Sequence, residues 1–215
     1  MGKFVIEGGY PLSGEVVPAG NKNAALPILA ASLLTDEEVV IGNVPRILDV
    51  DAMLALLEDL GVKVLWRDEH EVSLRADAVR GADVDEELGS RIRASFLLAG
   101  PLLARFGEAH MPPPGGDVIG RRRLDTHLLA FRSLGVHATF DRALELEVGR
   151  LRGASMFLDE ASVTATENAI MAAVLAAGTT IIGNAACEPH VQDLCRFLVG
   201  LGARISGIGS NLLTI

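Results

Sequence analysis

One spacing of apolar side chains recurs three times along the chain. The stripes fall at Val50, Met53, Leu54 and Leu57, then at Leu124, His127, Leu128 and Phe131, then at Val191, Leu194, Cys195 and Leu198. Each follows i, i+3, i+4, i+7, which turns one face of a helix toward a core. Each stripe runs out at a Leu-Gly pair, with Gly61, Gly135 and Gly202 placed to take the left-handed conformation that stops a helix. Beyond the glycines the pattern changes to alternation, clearest in Val62-Lys63-Val64 and Leu144-Glu145-Leu146-Glu147-Val148, which predicts strands. Ahead of each stripe lies a more evenly apolar helical run, at residues 24–34, 94–103 and 165–176, followed by a short strand at 39–41 and at 179–182.

The unit reads helix–strand–helix–strand–strand, three times over. No unit of this length closes a core alone, so the three must pack together. Residues 21–215 are therefore expected to form one α/β domain, with helices gathered inside and sheets outside, although the pattern alone fits an ordinary α/β sandwich as well. Residues 1–20 stand outside the repeat and read as two short strands, at 4–6 and 14–17, joined by a turn.

Composition narrows the function. Apolar residues make up 49% of the chain but aromatics only 4%, so the core is expected to be aliphatic. A net charge of −9 argues against nucleic acid as partner, and an anionic ligand would need a local basic pocket. Arginine is plentiful, whereas the lysines are only Lys3, Lys22 and Lys63. Cys187 and Cys195 match no zinc or redox spacing and are expected to be reduced thiols. The N-terminus has no signal-peptide pattern, and the longest apolar runs are too short to cross a membrane. A soluble, cytoplasmic protein is the expectation.

Candidate chemistry sits in one loop and three helix starts. Pro112-Pro113-Pro114 cannot be helix or central strand, and Gly115-Gly116 then frees the backbone where Asp117 is presented. Arg121, Arg122 and Arg123 follow. Taken alone, this is also how a solvated surface loop reads. A carboxyl group on a glycine-hinged loop beside an arginine cluster is equally a way to set a proton donor next to an anion. The first unit opens on Gly20-Asn21-Lys22-Asn23, a helix start whose free N–H groups and dipole favour an anion beside the Lys22 charge. The second opens on Arg91-Ile92-Arg93, the third on Ser162-Val163-Thr164. Pseudo-threefold packing would bring the three openings to one end, with Asp117 above them. His127 and Cys195 fall on core stripes and read as packed interior residues.

The motifs Gly20-Asn21-Lys22-Asn23-Ala24-Ala25-Leu26-Pro27, Asn43-Val44-Pro45, Arg93-Ala94-Ser95, Pro114-Gly115-Gly116-Asp117, Asp125-x-His127 and Asn184-Ala185-Ala186-x-Glu188-Pro189 occur together. In this combination the chain resembles the UDP-N-acetylglucosamine 1-carboxyvinyltransferases, members of the enolpyruvyl transferase family. The resemblance implies an inverse α/β barrel-like domain of three βαβαββ units, one of two such domains with the active site between them. It implies transfer of the enolpyruvyl group of phosphoenolpyruvate to the 3-hydroxyl of UDP-N-acetylglucosamine, the first committed step of peptidoglycan synthesis, with no cofactor and no metal. The related shikimate 3-phosphate enolpyruvyl transferase, and a non-catalytic half-domain that binds a UDP-sugar or a partner, are the alternatives.

Carried over by position, the resemblance makes Asp117 the acid that protonates phosphoenolpyruvate. Lys22 and Asn23 contact that substrate, and Arg93 and Arg122 line the cleft. Arg122, Arg123, Leu124, Asp125 and Thr126, with Ser162, Val163 and Thr164, line the nucleotide. The chain departs from the family in having Asp117 where cysteine is commoner, Arg123 where proline is frequent, and Glu160 where some members have lysine. An acid in place of the cysteine implies insensitivity to the epoxide antibiotic fosfomycin, which alkylates that thiol. Family members run to about twice this length. The resemblance thus implies an absent C-terminal domain, carried by the same or another chain, that packs with residues 1–20 and supplies the base, and no turnover by these 215 residues alone.

Overall fold

The computed structural model describes residues 3–116 and 123–215. The first unit runs α1 (Lys22–Ala31), β1 (Val39–Ile41), α2 (Leu48–Asp59), β2 (Lys63–Asp68) and β3 (Glu71–Arg75). The second begins with a short α3 (Glu86–Gly89) and a 3₁₀ segment, Arg93–Leu98, that leads into α4 (Ala99–Phe106). It continues with β4 (Glu108–Met111), α5 (Asp125–Ser133), β5 (His137–Phe140) and β6 (Leu144–Glu147). The third comprises β7 (Ser155–Phe157), α6 (Val163–Ala173), β8 (Ile181–Gly183), α7 (Pro189–Gly200) and β9 (Leu212–Thr214).

Each unit closes its own three-stranded sheet, in the orders β1-β3-β2, β4-β6-β5 and β7-β8-β9. The first two are antiparallel throughout. In the third, β7 joins β8 in parallel, the strand–helix–strand crossover that precedes the repeat's first hairpin partner. The second unit keeps that parallel segment only as a bridge between Asp83 and His110, and the third reduces its inner hairpin strand to a bridge between Ser206 and Thr214. Laid over one another, the three units give the βαβαββ order.

The helices meet in the middle, as the stripes predict. Every residue of α6 from Ala165 to Ala173 is buried, so this helix is covered on all sides. It packs on α4, α5 and α7, while α1 packs on α2 and α7. All four stripe positions of α2 and all four of α7 are buried. In α5 the buried face is Thr126, His127, Ala130 and Phe131, with Leu124 and Leu128 only partly covered. Polar contacts from Thr126 and His127 to the third unit hold that face inward. Gly61, Gly135 and Gly202 have φ of 99°, 96° and 103°, the left-handed stop that the Leu-Gly pairs predict.

Other expectations change. The run at 94–103 is not one α-helix: Pro101 has no N–H for the Leu97 carbonyl, and the segment before α4 winds as 3₁₀. The strand expected at 179–182 begins at Ile181. Residues 3–20 form neither strand nor helix, and their apolar side chains are exposed, Phe4 by 93% and Leu12 by 98%. Two short strands without a sheet to join are too weak to persist. Among the described residues no helix is long and apolar enough to cross a membrane.

Candidate active site

The first helices of the three units start at one end of the domain, and side chains cap the starts of α1 and α6. Asn21 Oδ1 accepts from the N–H groups of Asn23 (2.8 Å) and Ala24 (3.2 Å), and Ser162 Oγ accepts from that of Ala165 (3.4 Å). The starts of α1, the 3₁₀ segment and α6 surround a cavity of about 450 Å³. Lys22 and Asn23 line it from the first unit, Arg91 and Arg93 from the second, Val163, Thr164 and Glu167 from the third. His190, in the first turn of α7, and Asp49, in the first turn of α2, add to the wall. Helix N-termini and three cations facing one cavity are what an anion requires.

The charges there are held from their own side. Lys22 Nζ lies 2.6 Å from Asp49 Oδ2, Arg91 Nη2 lies 2.7 Å from Glu87 Oε1, and Arg93 Nη2 donates to the Arg123 carbonyl at 3.4 Å.

A second cavity, of about 370 Å³, adjoins the first and shares Arg93, Val163 and Thr164 with it. Arg123, Thr126, His127, Glu160 and Ser162 form much of its remaining wall. Thr126 Oγ1 donates to Asp159 Oδ1 at 2.7 Å, and His127 Nε2 lies 3.1 Å from Thr164 Oγ1. The His127 ring meets Phe96 edge-on, with centroids 5.0 Å apart. Burial, with the nearby Arg93 charge adding to it, pushes the His127 pKa down to about 4, so the ring is neutral at pH 7. It is an interior residue, as its stripe position suggests, but one whose outer nitrogen reaches the site wall.

The structure thus brings Lys22, Asn23, Arg93, Val163 and Thr164 to the first cavity, and Arg123, Thr126 and Ser162 to the second. Leu124 and Asp125 line neither. Leu124 is partly buried against the core, and Asp125 is spent on an ion pair with Arg123. Asp117 and Arg122 lie outside the described residues, but their described neighbours Gly116 and Arg123 line the first and second cavity respectively. Cys195 is buried, and burial pushes its thiol up to about 11, so it is an inert core residue.

Glu167 escaped the sequence reading. It is 2% exposed, its Oε1 has no hydrogen-bond partner among the described residues, and burial, then the Glu188 charge, raises its pKa to about 8. A signal was there: it is a lone acid in the apolar run of α6, three and four residues past Thr164 and Val163, hence on their helix face. His190 and Asp49 were missed as well, since nothing local to them marks a site, whereas Arg91 belongs to the second unit's opening and lines the first cavity beside Arg93.

Known proteins resemble the chain over nearly its full length. The family model described as EPSP synthase (3-phosphoshikimate 1-carboxyvinyltransferase) matches residues 6–215. A UDP-N-acetylglucosamine 1-carboxyvinyltransferase of Bradyrhizobium diazoefficiens is 56% identical over 213 residues, 99% of this chain and 49% of that protein. Its namesake from Treponema denticola is 54% identical over 215 residues, 100% of this chain and 50% of that one. The chain therefore spans about half the length of these curated relatives. Among solved structures, the enolpyruvyl transferase NikO from Streptomyces tendae superposes with a TM-score of 0.82 at 24% identity, over 97% of this chain and 49% of its own. EPSP synthase from Acinetobacter baumannii gives 0.72 at 20%, over 94% and 46%. These two likenesses speak for the fold, the three-unit domain of enolpyruvyl transferases. On the family match across 6–215, the chain belongs to the EPSP synthase family, the enolpyruvyl transferases.

Proposed function

We propose that the chain forms one side of an active site that moves the enolpyruvyl group of phosphoenolpyruvate to the 3-hydroxyl of UDP-N-acetylglucosamine, releasing phosphate. The observation that carries this reading is the shared wall of the two cavities. A cavity lined by three cations, with room for phosphoenolpyruvate, shares Arg93, Val163 and Thr164 with a second one bearing Arg123, Thr126 and Ser162. Relatives named for this reaction, at 50–56% identity, support it.

In this reading Lys22, Asn23 and the start of α1 hold the phosphate, and Arg93 lies where the two substrates meet. Asp117 gives a proton to C3 of the enolpyruvyl group, which leaves C2 electrophilic, and the sugar hydroxyl oxygen bonds to C2. Loss of a proton from C3 and of phosphate from C2 then restores the double bond. The base that accepts the hydroxyl proton comes from a second domain, which also covers residues 3–20. A carboxyl group suffices for the proton transfer but is a poor nucleophile toward an epoxide, so fosfomycin leaves this enzyme active. The protein works in the cytoplasm.

The test uses the chain joined to that second domain. Phosphoenolpyruvate is supplied with UDP-N-acetylglucosamine or with shikimate 3-phosphate, and phosphate release is followed. Release with the UDP-sugar alone is expected; release with shikimate 3-phosphate instead overturns the choice of acceptor.

A further inference from the structure

We propose that Glu167 belongs to the anion site and donates a hydrogen bond from its carboxylic acid to the phosphate or carboxylate group bound in the first cavity. The inference deepens the reading above and rests on it for the identity of the ligand, though not for the presence of an anion.

Three observations converge on this carboxyl group. It lines the cavity formed by Lys22, Asn23 and Arg93 while being 2% exposed itself. Its Oε1 is buried without a hydrogen-bond partner among the described residues, so no neighbour there stabilises the ionised carboxylate and the neutral acid is favoured. Its backbone is pinned by its neighbours on α6. Thr166 Oγ1 donates to the Ser162 carbonyl (2.8 Å) and accepts from the Ala186 N–H (3.0 Å), while Asn168 accepts from the Gly100 N–H (2.8 Å) and donates to the Phe96 carbonyl (3.0 Å). A group so rigidly placed presents one geometry to a ligand.

Its protonation follows from its surroundings. Lys22 faces the cavity from α1, Asp49 from α2, Arg91 and Arg93 from the second unit, and His190 from α7. Glu188 at the α7 start is the charge that acts on Glu167, in the sense that disfavours ionisation; Cys195 on α7 is a thiol at neutral pH, and His127 on α5 is neutral. With burial dominant, Glu167 carries its proton at pH 7. An ionised carboxylate there would repel an anion. The acid form offers an O–H donor, and a bound anion beside it raises its pKa further, so binding and proton retention reinforce each other.

The linkage is measurable with inorganic phosphate and with phosphoenolpyruvate as probes. Calorimetric affinities are compared at pH 7 and pH 9.5, for the protein joined to its second domain. The phosphate group of phosphoenolpyruvate is largely dianionic across that range, whereas inorganic phosphate passes from a mixture of mono- and dianion to the dianion. Phosphoenolpyruvate therefore carries the comparison, and each inorganic-phosphate affinity is read relative to Glu167→Gln at the same pH. The wild type is expected to lose about tenfold in affinity as Glu167 ionises. Glu167→Gln keeps an N–H donor and a carbonyl and cannot ionise, so it should bind within about threefold of wild type at pH 7 and show no loss at pH 9.5. Glu167→Val, which keeps the fold's apolar surroundings but no donor, should bind weakly at both. A wild-type affinity flat with pH, the same decline in Glu167→Gln, or no binding of either anion would overturn the inference. Phosphate binding with the expected pH dependence but no enolpyruvyl transfer would leave it standing and remove the proposed reaction. Transfer with flat pH dependence would do the reverse.

Discussion

Lys22 Nζ stands 2.6 Å from Asp49 Oδ2, so the lysine at the α1 start is oriented by an acid in the first turn of α2 before any ligand arrives. Both side chains are well exposed, at 48% and 39%, and such a pair adds little to stability. Its value is in placement. Lys22→Ala should cut phosphate release by about a hundredfold or more, since it removes a full charge from the site where the phosphate departs. Asp49→Asn should leave the unfolding free energy within about 1 kcal/mol of wild type and tighten phosphate binding severalfold, because a competing negative charge is gone. Titration with phosphate and urea denaturation of both variants check this, and weaker binding by Asp49→Asn would show that its orienting role outweighs its repulsion.

Gly100 and Asn168 meet where α4 packs on α6, the Gly100 N–H donating to Asn168 Oδ1 at 2.8 Å. A Cβ at Gly100 would sit 2.7 Å from the Asn168 carbonyl oxygen and 2.9 Å from its Oδ1. Backbone cannot yield there as a side-chain tip would. Gly100→Ala should cost about 1–3 kcal/mol by overpacking, despite alanine's better helix propensity. Denaturant unfolding reads it directly.

His127 makes folding sensitive to acid. Its folded pKa of about 4 lies below the ordinary 6.5, so the unfolded chain takes up a proton that the folded one refuses. The neutral ring's contribution is therefore intact above about pH 6.5 and is lost progressively as pH falls toward 4. At about 1.4 kcal/mol per pKa unit the loss comes to roughly 3 kcal/mol. His127→Gln should flatten the decline of stability between pH 6.5 and 4 relative to wild type, as followed by urea midpoints across that range.

Asp117→Cys should create sensitivity to fosfomycin while retaining turnover, because a thiolate attacks an epoxide far faster than a carboxylate does. Residual phosphate release after incubation, with mass added at residue 117, is the readout. Time-dependent inactivation of the unaltered protein, labelled on Asp117, would contradict it.

The parts of the fold that were legible are those written in local periodicity. The stripes of α2 and α7 and the three Leu-Gly stops are each decided within about a dozen residues, by which face is apolar and where φ must turn positive. What was not legible depends on distant partners. The strands read at 4–6 and 14–17 need a ladder that the described residues do not provide, and the helix expected at 94–103 yields to Pro101. In the site, Lys22, Arg93 and Ser162–Thr164 could be found because each opens a repeat. Glu167 belongs to it only because helices from different units converge, and Asp49 because α2 packs back on α1, and no local pattern encodes either meeting.

The central claim is that the two adjoining cavities hold the two substrates, and locating bound ligands tests it most directly. A crystal structure of the protein with phosphoenolpyruvate and UDP-N-acetylglucosamine should show the phosphate of the former against Lys22, Asn23 and Arg93. The uridine nucleotide should lie along Arg123, Thr126 and Ser162–Thr164. Phosphoenolpyruvate bound away from Lys22 and the α1 start, or a nucleotide that leaves the second cavity empty, would contradict the account.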